Sequence, residues 1–369
     1  MYSILRGKEF NEKYRDRNFI KLTNKDENHN GFQFQTGLNV DTIAFNPSGI
    51  CSPGGIYFSE KEWMLKWVDS DQPLHYIRSV TIPDDAYVYV EFMSWKADQI
   101  ILGERMKIED LERWKNQEEC LSALRDNVFA LQYMKNQTSD LCLQAVKWSG
   151  HALQYVKNQT EEICMAAVKE SGWALEWVKN QTEEMCLEAV GHSGHVLRYV
   201  KNQTEKICLK AVKMNGYALK YVKNQTEEII WAAIRQDGGA LQWLKNQTPE
   251  LCLAAVKENG IALMYVILQT EAICLEAVKQ YGIALMYVKN QTEAICLEAV
   301  KQNGNALKYV LNQTEAICLV AVRQDARALE DVKEEFMNLF EDNKAKINLE
   351  VAHKKQYELR KLKERFESE

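Results

Sequence analysis

TEEICMAAVKESGWALEWVKNQ, residues 160–181, is the stretch from which the fold is read, because close copies of it recur along the chain every 22 residues. Threonine returns at 138, 160, 182, 204, 226, 248, 270, 292 and 314 with no insertion between copies. Cysteine keeps the same interval at 120, 142, 164, 186, 208, 252, 274, 296 and 318, with Ile230 at the missing rung. Fixed self-similarity of this length marks a repeat array whose single units bury too little apolar surface to fold alone. Within the unit, the Thr160 hydroxyl suits a helix N-cap, and Glu161 and Glu162 place negative charge at the positive end of the helix dipole. Ile163, Cys164, Ala167 and Val168 form an apolar stripe at the helical period. Gly172 is expected to end that helix as a left-handed residue. A second, shorter helix follows, with Ala174, Leu175, Trp177 and Val178 on its apolar side and Lys179 at its negative end.

Several features of the repeat have a structural reading beside a chemical one. Equivalent cysteines in successive layers should lie roughly 8–10 Å apart, beyond the ~4.4–6.8 Å Cα separation of a disulfide. They read as small buried hydrophobes, as does Ile230 in their place, and no metal site is expected. Asn-Gln-Thr, as at Asn158 and Asn202, matches the glycosylation sequon, but a capping role explains why Thr270 stays where Leu268 has replaced the asparagine. The residue after the glycine varies most. His151, Trp173, His195 and Tyr217 are the candidate partner-binding residues, either as packing between helices or as the floor of a binding groove.

From Arg327 onward the pattern dissolves into charged sequence. Leu359, Leu362 and Phe366 at helical spacing suggest a capping helix over the last hairpin. Residues 1–103 share nothing with the repeat. Strands are expected over Asn18–Leu22, Gly31–Phe34, Gly55–Ser59, Tyr76–Ile82 and Ala86–Phe92, with a helix from Glu60 that turns Trp63, Met64, Trp67 and Val68 to one side. Gly54 and Gly55 stand at a strand entrance, where a tight turn or close backbone approach is expected. The expected architecture is an α+β N-terminal module (1–103), an all-α solenoid of about ten 22-residue helical hairpins (104–326) and a charged C-terminal cap (327–369).

The stretches FIKLTNKDENHNGFQFQTGLN (19–39), GICSPGGIYFSE (49–60), VTIPDDAYVYVEF (80–92) and KADQIIL (96–102) resemble the N-terminal domain found ahead of ankyrin-type repeats in giant viruses of the mimivirus group. The repeat itself, as in EAICLEAVKQNGNALKYVLNQT (293–314), is similar to a helical repeat family of unknown function from giant viruses, algae and protists. A second similarity is to the His-Tyr-Glu pattern of ADP-ribosyltransferases. By order along the chain it falls on His29, Tyr57 and Glu91, which the resemblance implies would hold the nicotinamide-ribose end of NAD and stabilise an oxocarbenium charge. No other cofactor is implied.

Composition bounds the function. A chain of 369 residues, 46% hydrophobic and 27% charged, is ordinary folded protein, and a net charge of −6 lacks the basic excess of a duplex-binding surface. The N-terminus lacks a signal-peptide core, and no stretch is apolar enough to span a membrane. These features point to a non-enzymatic scaffold that binds a protein partner, host or viral, with neither nucleic acid nor membrane as partner, in the infected cell's cytoplasm or in the virion. An ADP-ribosyltransferase aimed by the solenoid is the alternative.

Overall fold

The computed structural model describes residues 3–29, 31–47, 52–68, 74–90 and 94–341. Two compact units, residues 1–180 and 181–369, divide the chain within the repeat array. The first holds the sheet module and the opening repeats; the second holds the remaining repeats.

The sheet module consists of β1 (Ser3–Arg6), helix α1 (Gly7–Lys13), β2 (Phe19–Thr23), β3 (Asn28–His29), β4 (Phe32–Gln33), β5 (Gly37–Val40), β6 (Ile56–Glu60), β7 (Tyr76–Thr81), β8 (Tyr87–Val90), β9 (Trp95–Ala97), β10 (Gln99–Leu102) and β11 (Met106–Lys107). One sheet runs in the order β1-β8-β9-β6-β2-β7-β10-β5, with β11 also on β7, and β3 and β4 form a separate hairpin. Every pairing is antiparallel. The sheet therefore extends past residue 103 to Lys107, because Met106 and Lys107 pair with Ile77 and Tyr76. Alternation along β6, β7 and β9 turns Ile56, Phe58, Val80, Trp95 and Ala97 to the core face, where they pack with Phe10 and Phe34. The helix expected from Glu60 is 3-10, Lys61–Trp67, burying Met64, Leu65 and Val68 while Trp67 is exposed.

Ten α-helices of ten residues follow among the described residues, from Gln117–Asp126 to Glu315–Gln324. All nine expected threonines are N-caps: Thr160 Oγ1 accepts from Ile163 N–H at 3.3 Å, and the others do the same. Ile163, Cys164, Ala167 and Val168 are buried, as are their equivalents in the neighbouring repeats.

Two features differ from the sequence reading. The second helix of each hairpin is a six-residue 3-10 segment, such as Gly172–Trp177, closed by i→i+3 bonds like Val178 N–H to Leu175 O at 3.2 Å. The glycine is not left-handed, since the positive-φ glycines of the described residues, Gly31, Gly37, Gly54 and Gly55, all lie in the sheet module. The α-helix ends instead on an extended residue, Ser171 at φ −145° and ψ 116°. Glycine is favoured by proximity to the next repeat: a Cβ on Gly194 would lie 2.4 Å from Ala211 O, and one on Gly238 would lie 2.1 Å from Ala255 O. The position is Val128 in the first hairpin and Ala326 in the last of the described residues.

A side chain outside the expected core joins the repeats. Gln247 Nε2 donates to Leu241 O of its own repeat at 3.4 Å and to Tyr265 O of the next at 2.8 Å. Its Oε1 accepts from Ile267 N–H at 3.0 Å and from the Cys252 thiol at 3.5 Å. The same set recurs at Gln137, Gln159, Gln203 and Gln269. The cysteines are thus buried and unbridged, as expected, and they also act as weak donors that orient the amide. Gln225 is the exception. It reaches Leu219 O at 3.2 Å, and among the described residues it makes no bond to Trp243 O or Lys245 N–H. This is the rung where Ile230 replaces the thiol.

Leaving a buried N–H or C=O without its partner costs roughly 1–3 kcal/mol. Gln247→Leu, which takes a partner from Tyr265 O and Ile267 N–H while Leu241 O keeps Leu244 N–H, should therefore lose about 1–3 kcal/mol, whereas Gln225→Leu, whose Leu219 O keeps Val222 N–H, should lose less than about 1 kcal/mol. Urea unfolding of each variant, with amide exchange at Ile267 and Lys245, measures the difference.

Candidate functional site

In the sheet module the candidate residues fall on different faces. Tyr57 pairs with Lys96 across β6 and β9, on the side opposite Phe58. Lys96 is fully buried; its ammonium donates to Asn46 O and Ser52 O at 2.9 Å and to Ser52 Oγ at 3.0 Å, and it lies 5.0 Å from the Tyr57 ring centroid. Gly55, at φ +124°, leaves room for that lysine, because a Cβ there would stand 2.8 Å from its stem. Gly54 (φ +87°) brings the chain against Ala44 O. The glycine pair therefore provides both the turn and the close approach expected of it.

His29 sits on β3, on the side of Lys21. Partial burial and the Lys21 charge hold its imidazole below the usual histidine range. Lys21 pairs with Arg78, and β2 alternation puts it on the Phe19 and Phe58 face, away from Tyr57. The structure thus does not bring His29 and Tyr57 together. Glu91, Cys51 and the tail residues Leu359, Leu362 and Phe366 lie outside the described residues.

What gathers near His29 is a polar cluster absent from the sequence reading. Arg78 Nε and Nη2 grip Glu27 at 2.7 and 3.0 Å, Nη1 donates to Thr36 Oγ1 at 3.0 Å and Gly103 O at 2.7 Å, and Arg105 reaches Glu27 at 3.3 Å. The two guanidinium groups, Arg78 above all, hold the Glu27 carboxyl below its ordinary range. The cluster ties the 24–34 segment to the sheet. Lys21, 7% exposed, has no carboxylate in contact among the described residues; its ammonium lies 4.9 Å from the Phe34 ring centroid, and burial pushes it down to about 8.

In the array, each residue after the glycine leans on the following repeat. The rings of His151 and Trp177 are 5.1 Å apart, and those of His195 and Tyr221 are 6.0 Å apart. His195 Nδ1 lies 3.3 Å from Asn215 Nδ2. The Tyr217 hydroxyl crosses the next repeat so closely that a Cβ on Gly239 would stand 2.4 Å from it, and burial there pushes the phenol up. Trp173 is half-buried in the same position. Packing accounts for part of each candidate. Beside them, cations lie over other rings of the same segments: the Arg198 guanidinium is 4.5 Å from the Tyr199 centroid, and the Lys220 ammonium 4.7 Å from that of Trp243. Among the described residues no group of His, Cys, Asp and Glu could hold a metal.

A family model described as a domain of unknown function (DUF4116) matches residues 182–225, 204–248 and 270–313. An uncharacterized protein of Acanthamoeba polyphaga mimivirus is 35% identical over 111 residues, which cover 28% of this chain and 76% of that protein. The chain belongs to the mimivirus-type repeat proteins. Two relatives from the same virus, each named for ankyrin repeats, are 35% and 31% identical over 104 and 116 residues. The match covers 26% of the chain and half of the first, and 27% of the chain and 37% of the second. No solved structure matches.

The buried lysine of this mimivirus-type repeat protein offers a test of the sheet module. Lys21 titrates near 8 when folded and near its ordinary 10.5 when unfolded, so between those values the unfolded chain binds more protons and stability rises with pH. Below pH 8 the full cost of burying the charge applies. Lys21→Met should abolish the rise between pH 8 and 10.5 and stabilise the module at pH 7 by on the order of 3 kcal/mol. Denaturant melts of both proteins across that window measure it.

Proposed function

We propose that this chain is a non-enzymatic interaction scaffold, in which the repeats present their 3-10 edge to a protein partner and the sheet module supplies a second contact. The carrying observation is the aromatic and cationic surface at His195, Arg198, Tyr217 and Lys220, on positions whose residue type changes from repeat to repeat. Aromatic residues and arginine are the side chains most enriched where proteins bind one another. Relatives named for ankyrin repeats support a repeat-based reading. Among the described residues no helix is long and apolar enough to cross a membrane, which agrees with a partner met in the infected cell's cytoplasm or in the virion.

Trp173→Ala combined with Tyr217→Ala should abolish capture of a specific protein from infected-cell lysate while leaving the helical circular dichroism intact. Unchanged capture would count against the scaffold reading. Transfer of label from NAD to lysate proteins, lost in Tyr57→Ala, would replace it with the transferase reading.

A further inference from the structure

In the 3-10 segments between residues 194 and 309 the first and fourth residues after the glycine lie in one row, because a helix of three residues per turn eclipses positions i and i+3, and the seventh follows just past the extended C-cap. Neighbouring segments pack side by side. The six rows begin at His195, Tyr217, Gly239, Ile261, Ile283 and Asn305, and none of the 17 side chains at these 18 positions is acidic in a chain whose net charge is −6. Carboxylates start the α-helices instead, as at Glu205, Glu227 and Glu228. Asp237, beside the third row, is turned back onto Gly239 N–H at 2.7 Å.

Along this acid-free edge the cations are concentrated in the first three rows and the aliphatic side chains in the last three, where Lys289 and Lys308 remain. The first three rows carry Arg198, Lys201, Lys220, Lys223 and Lys245, all exposed. In the next two rows the equivalent positions include Ile261, Met264, Ile267 and Met286, which are 38%, 46%, 56% and 48% exposed. Leu268, beside them, is 80% exposed where most repeats have asparagine. Nothing in the hairpin requires these apolar residues, since Lys and Asn serve at the same positions elsewhere.

We propose that this edge binds an extended polypeptide segment whose acidic half lies on the cationic rows and whose apolar half lies on the Ile261–Met286 rows. The inference rests on the scaffold reading and adds the chemistry of the partner. Rows about 10 Å apart and an extended rise of about 3.3 Å per residue give roughly three peptide residues per row, so six rows accept a segment of about 15 residues. Charge complementarity selects the acidic half. The exposed isoleucine, methionine and leucine side chains favour a polypeptide over a single-stranded nucleic acid, which would need cations and rings along the whole edge.

The test uses the full chain and fluorescein-labelled peptides of about 15 residues made of Glu, Asp, Leu and Phe. One set separates acids and apolar residues into blocks, in both directions; the other alternates them at identical composition; an oligouridylate of equal length is the third probe. In fluorescence anisotropy a block peptide in one direction should bind at least tenfold more tightly than the alternating peptide. Lys220→Glu with Lys245→Glu, and separately Met264→Asp with Ile267→Asp, should each weaken it at least tenfold with circular dichroism unchanged. Added salt should weaken binding to the wild type but not what remains in the lysine variant. Equal binding of block and alternating peptides, no peptide binding, or tighter binding of the oligouridylate would overturn the proposal. Should the peptides fail while the Trp173 and Tyr217 variant still loses its captured protein, the scaffold reading stands and only the partner's chemistry is wrong.

Discussion

The glutamine that ties most repeats to the next, Gln225 excepted, is the constraint around which the array is organised. An amide offers two donors and one acceptor oxygen, and Gln247 uses all of them: its donors go to Leu241 O and Tyr265 O, and its oxygen takes Ile267 N–H and the Cys252 thiol. Two of these partners are 18 and 20 residues ahead, so one side chain fixes the position of the next 3-10 segment. A single inserted residue would pull those partners out of reach, which gives a physical reason for a 22-residue interval that never changes. Asparagine, one methylene shorter, could not span the same carbonyls. The neighbouring Lys reaches back to a carbonyl of the preceding repeat where it is present, as Lys223 Nζ does to Lys201 O at 2.9 Å, yet Lys and Asn have been replaced at Ile267, Leu268 and Leu311.

Much of the fold was legible in the sequence because its determinants are local. The threonine caps, the apolar stripe and the boundary of each α-helix follow from residues within one turn of one another. The glycine was misread for a related reason: a left-handed cap and a point of close approach have the same sequence signal, a glycine after a helix, and only the neighbouring Ala O distinguishes them. The glutamine escaped because its partners lie in the next repeat, although its retention at Gln269 beside the altered Ile267 and Leu268 was a readable clue. In the sheet module, β6 and β7 carry alternating patterns and were found; β1, β5 and β11 are short edge strands of four or two residues and were not.

The candidate residues of the sheet module show how order along a chain can mislead about a site. His29 and Tyr57 follow one another in the expected sequence, yet strand alternation assigns neighbouring residues to opposite faces, so one step along β6 decides whether a side chain can meet its supposed partner. Tyr57 faces the lysine that bonds to Asn46 and Ser52, and His29 stands beside the charge of Lys21, two residues from the Glu27 that Arg78 and Arg105 hold. Both surroundings are explained by holding loops against a sheet.

Conserved geometry and free chemistry are thereby separated within each repeat. Positions that touch the next layer, the glycine, the cysteine and the glutamine, are fixed by distances of a few ångströms and have little room to encode a partner. The first, fourth and seventh residues of the 3-10 row meet no such demand over most of their surface. There His195, Arg198 and Lys201 can give way to Ile261, Met264 and Ile267 without altering the hairpin that carries them. The same hairpin carries both sets of side chains, so the contrast between cationic and apolar rows belongs to the surface and not to the fold beneath it.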